Sequence, residues 1–304
     1  MITIFDEWDE SKVKRAPKGT EEGGQFISES GDFTTSGFTA KKELINRALK
    51  EGVDTETMYS EGGVWTAERT ALHDRIIEEW FAGAKPTGGE LKAQLIGGAP
   101  ANGKSSWLES EYYDQLEGAA KTVDQDEIKK YLPEYKYLVG KHHKKAAAFA
   151  HEESSYLAKR ISAIGVERKL NMVQDSVFDQ GYESVMSKVS VLIKAGYHVK
   201  MDYTTLDPNL SLQLAEDRFN KTGRWVPRTY IRKTNKDITD TFIKLAHSGK
   251  INELNLWDTN IKGQAPRLVA SATKGDLKIV DQKLWNDFLK KGAGTPRGKK
   301  RNKK

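Results

Sequence analysis

Gly98-Ala99-Pro100-Ala101-Asn102-Gly103-Lys104-Ser105, followed by Ser106, spells G-x-x-x-x-G-K-[ST], the pattern of a phosphate-binding loop. A polyphosphate needs several backbone N–H donors at close range, and glycine, having no Cβ, lets the main chain approach it. In such a loop the lysine, here Lys104, reaches the β- and γ-phosphates, and the following hydroxyl, here Ser105, holds Mg²⁺. The flanks suit this. Leu91-Lys92-Ala93-Gln94-Leu95-Ile96 reads as a short strand entering the loop, and Lys104 through Leu116 as a helix whose N-terminus faces the phosphates. Residues 98–106 are therefore expected to bind ATP, with GTP as the alternative.

Downstream, strands and helices alternate. Ala120–Val123 is a weak strand ending at Asp124, and a long helix follows from His142 to Ile164 with Leu157, Ile161 and Ile164 on one side. Leu170–Gln174 is a strand ending at Asp175, Tyr182–Ala195 an amphipathic helix, and Tyr197–Tyr203 an alternating strand. Helices Leu210–Lys221 and Thr234–His247, strand Ile251–Trp257, a small strand Leu277–Val280 and a closing helix Gln282–Lys291 complete the series. The pattern predicts an α/β fold: a P-loop NTPase-like parallel sheet sandwiched by helices over residues 91–291. A helical N-terminal extension is expected over 39–90, with a helix Ala40–Glu51 and a second one capped by Thr66 that aligns Leu72, Ile76 and Trp80. Residues 1–38, rich in Gly and charge, read as a disordered segment, and 292–304 as a basic disordered tail.

Composition narrows the class. The 304 residues include no cysteine, which excludes disulfides and cysteine-based metal or redox chemistry. Mean hydropathy is −0.66. No apolar run approaches the roughly 20 residues that span a bilayer, and the first residues lack a leader layout. A cytoplasmic location without a membrane partner is expected. The formal charge of +6 is concentrated at one end: Lys290 to Lys304 hold eight basic residues and no acidic one. Such a tail suits nucleic acid or an anionic surface, or is simply solvated.

In open α/β sheets ligands bind beyond the carboxyl ends of the strands. Asp124-Gln125-Asp126 follows the second strand, where extended alternation would send Asp124 and Asp126 to one side, one serving a metal and the other accepting a proton. A helix N-cap competes for Asp124. Asp175 suits a metal or a substrate hydroxyl, or an ordinary turn. Arg218 lies near a helix end, Gly223 stops that helix, and Arg224 sits beyond it, so that a hinged loop could close a guanidinium over ATP. His142, His143 and His151 lack carboxylates at zinc spacing. Trp65, Trp80, Trp225 and the Tyr112-Tyr113 pair read as packing residues.

Taken in order, Gly97–Ser106, Val123–Asp126, His151–Ser154, Asn171–Asp175, Gly196–Val199, Asp207-Pro208, Arg218 and Gly223–Pro227 resemble the zeta toxin family of bacterial kinases, from about Val64 to Trp285. The resemblance implies a phosphate-loop kinase fold and ATP-dependent phosphorylation of the 3′-hydroxyl of the sugar in UDP-N-acetylglucosamine. It also implies Lys104 as the loop lysine, Asp126 as catalytic base, and Arg218 and Arg224 as clamps on the ATP phosphates. Asp175 becomes the strand-end acidic position that helps arrange the substrate, Glu152, Glu153 and Ser154 lie on a helix of the substrate pocket, and Asp124, from its place after the second strand, is the further candidate for contact with the substrate. A separate antitoxin is the implied partner. The family usually has Gly-Thr where this chain has Ser176-Val177, which leaves a nucleic-acid end, a nucleotide or an antibiotic open as acceptor. Gly23-Gly24-Gln25-Phe26 is similar to an element found ahead of domains in phage and mobile-element proteins, so a non-catalytic packaged or virion-associated protein is a further alternative.

Overall fold

The computed structural model describes residues 14–15, 26–27, 34–35, 38–110, 116, 118–260 and 264–293. The expectations for most of residues 1–38, for Tyr112-Tyr113 and for the tail beyond 293 lie outside the described residues. In chain order the helices are α1 (Lys42–Glu51), α2 (Thr55–Tyr59), α3 (Ala67–Trp80), α4 (Lys104–Leu108), α5 (Gln125–Lys129) and α6 (Pro133–Gly140). They continue with α7 (Ala146–Phe149), α8 (His151–Glu167), α9 (Tyr182–Lys194), α10 (Pro208–Thr222), α11 (Arg228–His247) and α12 (Gln282–Ala293). One large sheet contains β1 (Lys92–Gly98), β2 (Val123–Asp124), β3 (Met172–Asp175), β4 (His198–Thr205), β5 (Glu253–Asp258), β6 (Arg267–Thr273) and β7 (Asp276–Ile279).

The chain divides into two compact units. One comprises Met1–Ala82, Gln125–Ile161 and Asn220–Trp225; the other comprises Gly83–Asp124, Ser162–Phe219 and Val226–Lys304.

The second unit holds the sheet, in the order β7-β6-β5-β4-β1-β3-β2. Strands β2, β3, β1, β4 and β5 pair in parallel, while β6 and β7 turn back antiparallel. Parallel neighbours need long crossovers, and helices supply them; β5 to β6 and β6 to β7 are joined by short connections, which permit only the antiparallel return. Ala93 to Gly98 are all buried, as in a central strand covered on both faces. The mainly parallel sheet flanked by helices is the architecture expected from the alternation. β6 is an addition: Arg267-Leu268-Val269-Ala270-Ser271-Ala272-Thr273 carries few β-branched residues, yet buries Val269, Ala270 and Ala272. Ile96, Trp107, Val173 and Trp257 form one buried cluster of this unit. Phe242, Trp285 and Phe288 form another, with ring centroids 5.7–6.2 Å apart, fixing α12 on α11.

The described residues of the first unit are mainly helical, with short antiparallel strand pairs such as Ser60–Glu61 against Val64–Trp65. Thr66 Oγ1 accepts the Arg69 N–H at 3.3 Å, capping α3 as its sequence predicts. Leu72, Ile76 and Trp80 are buried along one face of that helix. At its centre lies a charged knot. Arg69 donates through Nη1 and Nη2 to Glu134 at 3.1 and 2.8 Å, and through Nε and Nη2 to Glu153 at 2.5 and 2.7 Å. His73 Nε2 lies 2.7 Å from Glu153, and the Tyr59 hydroxyl donates to Glu134 at 2.7 Å. Buried charges persist only when paired in this way.

Two helix expectations need correction. The single helix over His142–Ile164 is replaced by α7 and α8: His142, at φ +50° after α6 has ended, lies ahead of both, and Ala150 (φ −106°, ψ 10°) separates them before α8 begins at His151. The helix after the phosphate loop ends at Leu108, where the Ser110 hydroxyl donates to the Trp107 carbonyl at 2.6 Å; residues 111–115 of the expected helix lie outside the described residues.

Candidate active site

In the sheet-bearing unit, β1 delivers the chain into the phosphate loop and α4 carries it out. Two glycines of the pattern are demanded by close neighbours. A Cβ on Gly98 (φ +145°) would strike Thr204 Oγ1 and come within 3.0 Å of the Thr204 carbonyl. On Gly103 (φ +77°) it would meet the Thr259 side chain at 2.9 Å. The ends of β4 and β5 therefore press on the first and last turns of the loop, and only glycine tolerates both the contact and the positive φ.

The loop is braced from several sides. Gly98 N–H donates to the Val177 carbonyl at 3.2 Å, and Asn102 N–H to Ala99 at 3.1 Å. Ser211 Oγ donates to the Pro100 carbonyl at 2.9 Å, and Thr259 Oγ1 to the Asn102 carbonyl at 2.9 Å. Asn102 Nδ2 donates to Asn235 Oδ1 at 3.0 Å. Ala101 packs on Leu212, Ala215 and Ile231. Carbonyls that would repel a phosphate are thus tied to hydroxyl donors, while the N–H groups of the first helical turn have no intrahelical acceptor. Ser105 and Ser106 are exposed; Trp107, next in line, is fully buried and anchors the helix.

Lys104 curls back over the loop. Its Nζ lies 3.2 Å from the Gly98 carbonyl and 3.3 Å from Asp175 Oδ1. Strand register explains the second contact: Ile96 of β1 pairs with Asp175 of β3, so the carboxylate arrives at the sheet edge where the loop begins. Asp124, last residue of β2, lies opposite Asp175 in the next ladder. Two carboxylate positions and an ammonium accordingly occupy one stretch of the sheet's carboxyl edge. Arg218, half-buried, lies in the same unit on α10.

In the other unit, Asp126 departs from the expected extended alternation with Asp124. Helix α5 starts at Gln125, so Asp126 belongs to a helical first turn instead of the strand line. Asp126 Oδ1 accepts from Lys129 Nζ at 3.0 Å, and Oδ2 is ion-paired with Arg224 Nη2. Arg224 reaches it because Gly223 (φ +71°) ends α10; a Cβ there would lie 2.6 Å from the Val139 carbonyl. Lys144 Nζ lies 4.8 Å from the centroid of the Trp225 ring, holding the following residue. Asp126 and Arg224, distant in sequence, are brought together.

Of the three expected residues on α8, Glu152 is exposed, while Glu153 and Ser154 are fully buried. Burial pushes the Glu153 carboxyl up, but Arg69 and His73 outweigh it and hold it at about 2. Ser154 Oγ donates to the His151 carbonyl at 2.8 Å. Their polar atoms are committed to the fold. Conversely, Thr204, Thr259, Ser211 and Asn235 shape the loop without any motif to announce them; the Thr204-Thr205 pair ending β4 is the one local hint. Among the described residues no helix is long and apolar enough to cross a membrane, and no group of three or more His, Asp or Glu is disposed to hold a metal ion.

A mainly parallel sheet whose central strand runs into G-x-x-x-x-G-K-S defines a kinase-type P-loop protein. Residues 77–262 match the model of the Zeta toxin family, and the chain belongs to that family of ATP-using phosphotransferases. Among solved structures it is similar to AvrRxo1-ORF1:-ORF2 with ATP, with TM-score 0.62 and 16% identity over 80% of this chain and 84% of that one. It is also similar to the native AvrRxo1-ORF1:-ORF2 complex, with TM-score 0.59 and 17% identity over 78% and 82% of the two chains. The PezAT chromosomal toxin-antitoxin system of Streptococcus pneumoniae aligns with TM-score 0.53 and 15% identity over 75% of this chain and 96% of that one. No curated protein matches the sequence significantly.

Proposed function

We propose that this protein transfers the γ-phosphoryl group of ATP to a sugar-nucleotide hydroxyl, with the 3′-hydroxyl of UDP-N-acetylglucosamine as acceptor. The observation that carries the kinase reading is Lys104, held 3.2 Å from the Gly98 carbonyl and 3.3 Å from Asp175 on a fully braced loop. Fixed donors cost no reorganisation when charge develops, and phosphoryl transfer relies almost entirely on such positioning and charge. The acceptor oxygen attacks the γ-phosphorus, the bond to the β–γ bridging oxygen breaks, ADP leaves, and the hydroxyl proton passes to Asp126. A carboxylate offers about four lone-pair sites, so Lys129 and Arg224 on Asp126 leave capacity for that proton. Loop N–H groups and Lys104 hold the β- and γ-phosphates; Arg218 and Arg224 take up charge on the transferring oxygens. Asp124 and Glu152 contact the acceptor, and the roles of Asp126 and Arg218 follow the family resemblance. The Ser105 hydroxyl and Asp175 carboxylate are hard oxygen donors of the kind Mg²⁺ takes in ones and twos beside phosphates, and the ion would neutralise phosphate charge. GTP in place of ATP is tested in the same assay.

The test incubates the purified chain with ATP and UDP-N-acetylglucosamine and identifies the phosphorylated position by mass spectrometry and NMR. Phosphate on the 3′-oxygen supports the proposal; ATP turnover with no labelled sugar nucleotide sinks the acceptor assignment. The second reading, a nucleic-acid end, a nucleotide or an antibiotic as acceptor, rests on Ser176-Val177 standing where the family usually has Gly-Thr, and these acceptors are compared in the same assay. A separate antitoxin is proposed as partner, by analogy with the toxin-antitoxin system named for the pneumococcal relative.

A further inference from the structure

Helix α12 reaches the phosphate loop through a chain of hydrogen bonds. Lys291, in its last turn, donates through Nζ to Thr205 Oγ1 at 2.6 Å and to the Leu206 carbonyl at 2.7 Å. The Thr205 carbonyl accepts the Thr259 N–H at 3.0 Å, and Thr259 Oγ1 lies 3.1 Å from the same carbonyl. That hydroxyl also lies 2.9 Å from the Asn102 carbonyl, within the loop. A second route ends on the same residue: Thr239 Oγ1 of α11 bonds the Phe288 carbonyl of α12 at 3.4 Å, and Asn235 of α11 receives Asn102 Nδ2 at 3.0 Å. The Asn102 side chain is therefore held by α11, and its carbonyl by Thr259, which α12 reaches through Lys291 and Thr205.

Lys291 is an expensive anchor. Burial pushes its ammonium down to about 8, against the opposing pull of Asp258, Asp207 and Asp287. A side chain whose charge is disfavoured where it sits does not stabilise the fold by that charge. Its contacts, however, land on the turn after β4, whose Thr204 crowds Gly98, and lead to Thr259, which crowds Gly103.

We propose that Lys291 is a positioning residue for nucleotide binding, acting through Thr205 and Thr259 on the Asn102 carbonyl and so setting the curvature of the phosphate loop. The proposal rests on the reading that this loop binds ATP. Without Lys291 the turn over 205–206 loses two donors, Thr259 loses its fixed support, and the Asn102 carbonyl gains freedom to turn toward the phosphates.

The experiment uses the full chain and two readouts: amide hydrogen exchange over residues 98–106 without ligand, and equilibrium binding of ATP. Lys291→Met is expected to speed loop exchange several-fold with the rest of the sheet unchanged, and to weaken ATP binding about tenfold, the worth of one net hydrogen bond to a charged group. In steady state KM for ATP rises while kcat holds. Lys291→Arg restores most of both effects, Thr259→Val reproduces them, and the double variant is no worse than the worse single one. Unchanged loop exchange in both Lys291→Met and Thr259→Val overturns the proposal, as do additive losses in the double variant. If Lys291→Met does not fold, Lys291→Gln takes its place in the same exchange, binding and double-variant measurements. Failure of the wild-type chain to bind ATP counts against the kinase reading, whereas loop exchange, measured without ligand, judges the relay separately.

Discussion

Lys104 and Asp175 face each other at 3.3 Å, although one opens a helix and the other closes a strand. The ammonium is thereby kept over the loop before any nucleotide arrives. Lys104→Ala removes the charge meant for the β- and γ-phosphates, and ATP turnover is expected to fall at least about 100-fold. Circular dichroism should stay native, because the side chain is not a core element. Turnover within a few-fold of wild type would refute the assigned role.

Asp126→Asn keeps shape and removes the proton acceptor. The expected result is a drop of at least about 100-fold in kcat with ATP affinity nearly unchanged. Arg224→Lys keeps a charge but loses the planar fork, and it is expected to lower kcat by more than tenfold as well. Equal losses in ATP affinity and kcat for Asp126→Asn would argue against a role confined to the chemical step.

Glu153 ties stability to acid. Its carboxyl titrates at about 2 in the fold against an ordinary 4.5. A depressed carboxylate contributes stability above its unfolded value and loses it as pH falls through the folded one. Melting temperature is therefore expected to fall between about pH 4.5 and 2, more steeply in wild type than in Glu153→Gln. At neutral pH that variant leaves Arg69 and His73 short of a partner, for about 3–5 kcal/mol of destabilisation in a denaturant titration. Identical acid profiles for the two proteins would contradict this.

Gly223→Ala tests the turn behind Arg224. With φ at +71° and the Val139 carbonyl 2.6 Å from the new Cβ, the backbone must shift. About 1–3 kcal/mol of stability should be lost, together with kcat, because Arg224 moves relative to Asp126. Wild-type kcat in this variant would separate Arg224 from catalysis.

The parts legible in the sequence are those whose signal is local. Gly98–Ser106 announces itself by pattern, and Asp175 by following an apolar strand into that same edge. Gly223 marks the end of α10 because a left-handed residue there is nearly always glycine. What stayed hidden depends on distant partners. Nothing around Glu153 signals that Arg69 and His73 will claim it, because helical periodicity places a charge on a face without naming what lies opposite. In sequence Asp126 reads as a continuation of β2, because two residues of strand are too short to show where helix begins. Thr259 has no motif at all; its importance comes from the β5 end lying beside Gly103.

Arg69 and His73 precede residue 77, where the match to the family begins. A shortened version trimmed to that match would strand Glu134 and Glu153 in an apolar interior with nothing to neutralise them. Preparations of the catalytic portion alone should consequently collect as insoluble aggregate, and the leading helices are better regarded as an inseparable share of the enzyme than as a removable appendage.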